Sequence, residues 1–289
     1  MTFTKENKFN LLLVLSILFI LIGCTCNTDP DSGGDERDSN STVSDKKDSA
    51  KSSEKKDEGD FKVEYTGVQN PRYESIDRSI RESKTLEKAA DKLNRSLSLP
   101  HDIALRAQDC KTANAFYNPK DRSITVCYEL MEHFYRIFKS AGDTDSKAKD
   151  RMNKATTFIF LHELGHALID GYELPITANE EDAADRCSSY ICIEELGETG
   201  VEAVIAASEF FALQSKMGSK DPNMMADEHL LNEQRFFNSL CMIYGSDPNK
   251  YSGIVTNGLL PKARAVRCPT EYTRTANSWE TLLKPWRKD

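Results

Sequence analysis

Three residues within five positions carry chemistry: His162, Glu163 and His166, in the run FIFLHELGHALID. Four residues of α-helix turn the chain by about 400°, so the two imidazoles emerge about 40° apart on one face. Both then reach one small cation, and Glu163, about 100° round from His162, meets a water on that cation without being a ligand. Ala155, Phe158, Ile159, Leu161, Leu164, Ala167 and Leu168 are helix-compatible core residues, and Gly171 is placed to end the helix. Gly165 is the poor helix former, expected where a neighbouring strand or substrate comes close.

A zinc ion that works on water takes three protein ligands and keeps one position open. Glu181 lies fifteen residues after His166, at the start of NEEDAADRCSSYICIEEL. This run reads as a second helix, capped by Asn179 or Thr177 and acidic in its first turn. Glu181 and Asp185 share a face at i and i+4. Glu181 is the expected third ligand, and Asp185 the carboxylate that fixes the tautomer of His162. The competing reading makes EEDAAD an ordinary acidic helix start, with Glu180 and Asp182 merely solvated.

HELGH followed by a helix bearing ExxxD resembles the gluzincin metallopeptidases, the thermolysin and neprilysin class. Asn114-Ala115-Phe116-Tyr117 is similar to the NAF(Y/W) strand of those enzymes, whose Asn and Ala bind the substrate backbone. The runs NAFYNPKDRSITVCYEL, HELGHALID, EEDAAD, NEQRFFNSLCMIYGSDP and LPKARAVRCPTEY also resemble a bacterial family of uncharacterised domains labelled as metallopeptidases. The resemblance implies one zinc ion per chain on His162, His166 and Glu181, and Glu163 as general base and acid. It also implies Asn114 and Ala115 on a peptide or protein substrate. The downstream histidine motif of thermolysin has no counterpart here. His229, Tyr128 and Arg235 stand as candidates for the oxyanion donor, with His229 taken as the catalytic one, while His101 and His133 read as structural.

The elements that must position these residues make an α+β fold. Periodicity predicts a strand over 61–65, an amphipathic helix over 72–97 and a strand over 103–107. Strands over 113–117 and 123–130 flank Asn-Pro-Lys-Asp-Arg, a strong turn signal. Together they form a small antiparallel sheet whose edge-strand hairpin packs on the zinc helix and the glutamate helix. An edge strand there suits extended peptide. A short helix over 131–139, a polar loop over 140–149 and helices over 201–217 and 228–244 follow. The C-terminal part is expected to be mainly helical, with its proline-bearing tail as short helical turns and coil wrapping the domain.

Lys5 and Lys8 precede an apolar run that ends Leu21-Ile22-Gly23-Cys24. That run is shorter than the roughly 20 residues a spanning helix needs, and it reads as a secretory leader. Its ending resembles a bacterial lipobox and implies lipid on Cys24, hence a bacterial cell-envelope, extracytoplasmic location. The division is a lipoprotein signal peptide at 1–23, a lipidated cysteine with a disordered polar tether at 24–60, and a metallopeptidase domain at 61–289. A net charge of −8 gives no electrostatic case for nucleic acid. Six cysteines fall in the domain. Cys110 and Cys127 flank the hairpin symmetrically and are the favoured pair, while Cys187 and Cys192 are expected to face different ways. Two readings compete with a peptidase: a cell-surface binding lipoprotein with structural zinc, and a zinc amidase acting on cell-wall peptides.

Overall fold

The computed structural model describes residues 57–177, 179–217 and 229–288. The predicted leader, Cys24 and the tether up to residue 56 lie outside these residues. Residues 57–60, assigned to the tether by composition, already belong to the fold. The N–H groups of Glu58 and Gly59 donate to Leu99 O at 2.7 and 3.0 Å, and Asp60 N–H donates to Asp102 Oδ1 at 2.9 Å. Among the described residues no helix is long and apolar enough to cross a membrane.

The architecture is α+β, as expected. Strands β1 (Phe61–Val63), β2 (Ile103–Gln108), β3 (Ala115–Asn118) and β4 (Ser123–Cys127) form a four-stranded sheet in the order β1-β2-β4-β3. The sheet is mixed rather than antiparallel. The hairpin β3–β4 is antiparallel, but β1 pairs β2 and β2 pairs β4 in parallel. Parallel neighbours need a crossover, and α1 (Glu74–Ser83) and α2 (Thr85–Ser96) supply the one from β1 to β2. These are two helices where periodicity predicted one. Lys84 adopts a left-handed φ of 53°, and its N–H closes the end of α1 on Ile80 and Arg81 carbonyls. Strand β4 is buried along its whole length and stops at Cys127, because Tyr128 opens the next helix.

That helix, α3, spans Tyr128–Ser140, and α4 spans Asp145–Gly171. Half of the expected polar loop is therefore the start of α4, whose N-cap Thr144 accepts a hydrogen bond from Lys147 N–H at 3.3 Å. The second half of α4 passes through the core, with Phe158, Leu164 and Leu168 fully buried. Each such side chain contributes about 2 kcal/mol. Helix α4 packs on α3, β3, β4, α5 (Glu180–Tyr190) and α6 (Gly197–Met217). A π-helical turn, Ile191–Glu195, continues α5.

The C-terminal part is α7 (Asn232–Ser246), the short helices α8 (Gly253–Thr256) and α9 (Lys262–Ala265), and α10 (Cys268–Leu283). The tail is thus more helical than its prolines suggested, since Pro269 sits in the first turn of α10, where its missing N–H costs nothing. Disulfides join Cys110 to Cys127 and Cys241 to Cys268. Cys187 and Cys192 are unbonded, buried thiols, and burial pushes the Cys192 thiol up to about 12.

Candidate metal centre

Helix α4 carries His162, Glu163 and His166, and α5 brings Glu181 and Asp185 against them. His162 Nε2 lies 3.1 Å from Glu181 Oε2 and 3.2 Å from His166 Nε2, and His166 Nε2 lies 3.4 Å from Glu181 Oε1. Donors about 2.0–2.1 Å from a tetrahedral zinc are separated by about 3.3 Å, and these three spacings, measured to one or the other Glu181 oxygen, are of that size. The residues fit the ion. His229 Nε2 stands 2.9 Å from Glu181 Oε2, and its ring stacks on His162 with centroids 6.0 Å apart. His162, Glu181 and His229 therefore also converge tightly enough to share a cation.

Two local features bring α5 this close. Asn179 is the N-cap and its side chain accepts from Glu181 N–H at 2.8 Å, which places the glutamate in the first turn. Gly165 faces α5, not a strand or the substrate space. A Cβ there would stand 3.0 Å from Ala184 Cα and 3.2 Å from Cys187 Cβ.

Around the triangle, each histidine is held from behind by a carboxylate. His162 Nδ1 is 2.8 Å from Asp185 Oδ1, and His166 Nδ1 is 2.7 Å from Glu180 Oε1. The reading of Glu180 as merely solvated is therefore corrected, whereas Asp182 pairs with Arg186. Arg235, a candidate oxyanion donor by sequence, is committed elsewhere. Its Nε and Nη2 donate to both Asp185 oxygens at 2.8 and 2.7 Å, and its guanidinium lies 4.1 Å over the Phe211 ring. Tyr128 is removed from the site altogether, since it is buried with its hydroxyl donating to Asp77 Oδ1 at 2.7 Å. His133 pairs with Gln214, and His101 packs against Gly171.

A family profile described as "Putative metallopeptidase" matches residues 65–283. The chain belongs to this metallopeptidase family. No curated protein and no solved structure matches it. Membership implies a metal ion and hydrolysis of peptide bonds.

In this metallopeptidase Glu163 is 7% exposed, and its carboxylate accepts the Tyr117 backbone N–H at 2.8 Å. Burial raises its pKa, against the opposing charges of His162 and His166. Burial would also lower both imidazoles. Hydrogen bonds to Asp185 and Glu181 reverse that for His162, and those to Glu181 and Glu180 lift His166 to about 9 in the metal-free protein. Glu181 is held far below the usual carboxylate range because its hydrogen bonds with His162, His166 and His229 outweigh burial. Asp185 is held low in the same way, Arg235 opposing burial.

Strand β3 is one of the two edges of the sheet. Cys127 N–H donates to Asn114 O, so the hydrogen-bonded pairs fall at Asn114 and Phe116, and the main-chain groups of Ala115 and Tyr117 point away from β4. They face a cleft of about 990 Å³ whose walls include Asn114, Ala115, Glu163 and His229. A smaller pocket of about 120 Å³ adjoins it, with Leu130, Phe134, Ile159, Phe210 and Phe211 as its apolar wall.

Proposed function

We propose that this protein is a zinc metallopeptidase of gluzincin type, anchored outside the bacterial cytoplasm by lipid on Cys24. The observation that carries the enzymatic part is the donor triangle of His162, His166 and Glu181 with an intact, buried Glu163 beside it, in a cleft flanked by an edge strand. The leader ending in Cys24 supports the location. So do the disulfides Cys110–Cys127 and Cys241–Cys268, which fit an oxidising compartment.

Zinc, held by His162, His166 and Glu181, would supply a Lewis acid able to acidify water and polarise a carbonyl. Glu163 takes the proton of the attacking water and delivers it to the leaving amine nitrogen. One carboxylate serves both steps because the proton never leaves the site. The Tyr117 N–H keeps that carboxylate turned towards the cleft. The N–H and C=O of Ala115 pair with an extended substrate, Asn114 bonds its backbone, and the small apolar pocket receives a side chain next to the scissile bond. His229 donates Nε2–H to the carbonyl oxygen as charge builds there.

One observation favours a second reading, a binding lipoprotein with structural zinc. Structural sites are closed by four protein ligands, and His229, 2.9 Å from Glu181, would supply the fourth. Turnover separates the two readings. The zinc-loaded protein should cleave members of a quenched-fluorescent peptide library. Glu163→Gln should keep the metal and lose about 10²–10⁴-fold in kcat. A fully active Glu163→Gln protein removes the peptidase assignment.

A further inference from the structure

Among the described residues the cleft is lined by five carboxylates, Glu163, Asp170, Glu173, Glu180 and Glu181, and by no lysine or arginine. Three are explained by the metal centre: Glu181 as ligand, Glu163 as base and Glu180 behind His166. Asp170 and Glu173 are not. Both are exposed, and both occupy positions that local structure disfavours. Asp170 lies in the last turn of α4, where carbonyl dipoles repel an anion and the turn itself holds no basic residue, the nearby His101 ring being the group that feels its charge. Glu173 holds a left-handed φ of 51°, a conformation glycine or asparagine adopts more readily.

Tyr117 ties this acidic end to the reacting groups. Its N–H bonds Glu163, and its hydroxyl donates to Asp170 Oδ2 at 2.7 Å. Burial, then the Asp170 carboxylate, push the Tyr117 phenol well above its ordinary range, so it stays a donor. Arg122, whose charge reaches Tyr117, does not line the cleft. Asp170 is seven residues beyond Glu163, on the same face of α4 and about 10 Å along its axis. An extended peptide covers that distance in about three residues. The acidic end lies towards the C-terminus of α4, and the apolar pocket, with Ile159, towards its N-terminus.

Resting on the peptidase reading above, we infer that the cleft selects basic peptides. A lysine or arginine about three residues from the scissile bond would sit against Asp170 and Glu173, on the side away from the apolar pocket. Near the metal centre, zinc would offset the charges of Glu181 and Glu163, and Glu180 is held on His166. The remaining negative charge at the far end is therefore what a substrate cation meets.

The test uses fluorescein-labelled peptides that differ only by lysine, norleucine or glutamate at successive positions. Anisotropy on zinc-loaded Glu163→Gln protein measures binding without turnover, and wild-type kcat/KM measures cleavage. The lysine peptide should bind about tenfold more tightly than norleucine at one position at low salt, and the two should converge as salt is raised. The double substitution Asp170→Asn with Glu173→Gln should bring that ratio close to one, with zinc per chain reporting that the centre is intact. Equal binding of lysine and norleucine peptides, or a ratio untouched by the double substitution, overturns the inference. A charge preference in binding without wild-type cleavage would keep this reading of the cleft and overturn the peptidase. Cleavage without charge preference would do the reverse.

Discussion

Gly165→Ala is a one-carbon change that removes no donor atom, yet it should weaken metal binding. The new Cβ would stand 3.0 Å from Ala184 Cα, against 3.4–4 Å for ordinary contact. Helix α5 must therefore retreat by about half an ångström, because the obstacle is backbone and not a flexible side-chain tip. Glu181 precedes Ala184 by one turn of α5 and moves with it. Donor positions in a metal site tolerate about 0.2 Å, so zinc affinity should fall about tenfold or more. Stability should change little. Alanine gains about 1 kcal/mol over glycine in a helix, and overpacking costs about 1–3 kcal/mol. Competition with a chelator of known affinity measures the first effect, and thermal unfolding in excess chelator the second. Affinity within twofold of wild type would show that the approach of α4 to α5 does not set the donor triangle.

Arg235→Met should destabilise the fold by about 3 kcal/mol, because it leaves the Asp185 carboxylate largely buried and opposed only by His162. It should also lower zinc affinity about 10–100-fold through His162, whereas Arg235→Lys, which keeps the charge but loses the fork, should recover part of each. Unfolding and chelator titrations of the two variants check this. In the metal-free protein His166 is raised to about 9. Its contribution to stability is therefore complete below its unfolded value of about 6.5 and is lost as pH rises through about 9. The Tm of the apo protein should fall over that range, while zinc affinity rises as the competing proton leaves. A flat or rising apo Tm would contradict the arrangement of Glu180 and Glu181 around His166.

The site was legible in the sequence where it depends on spacing within one helix. His162, Glu163 and His166, and likewise Glu181 and Asp185, are short-range patterns that α4 and α5 translate directly into shared faces. The β3–β4 hairpin and the Cys110–Cys127 bond were legible for the same reason, since a turn signal fixes both. Contacts between distant segments were not. The parallel pairing of β2 with both β1 and β4 leaves no local pattern, so the sheet read as antiparallel. Lys84 breaks a continuous amphipathic run without a glycine or proline to mark it. Arg235 looked available until α7 set it on Asp185, and Glu180 looked solvated until α5 turned it towards His166. The start of α4 did carry a signal in Thr144, but the charged residues after it resemble a loop as much as a solvated helix face.

His162, His166 and Glu181 should together hold one catalytic zinc. Elemental mass spectrometry on the purified protein, prepared metal-replete and dialysed, with Glu181→Ala beside wild type, tests it most directly. One zinc per wild-type chain and a marked loss in the variant is the predicted result. A wild-type chain without zinc, or a variant that keeps it undiminished, would contradict the account.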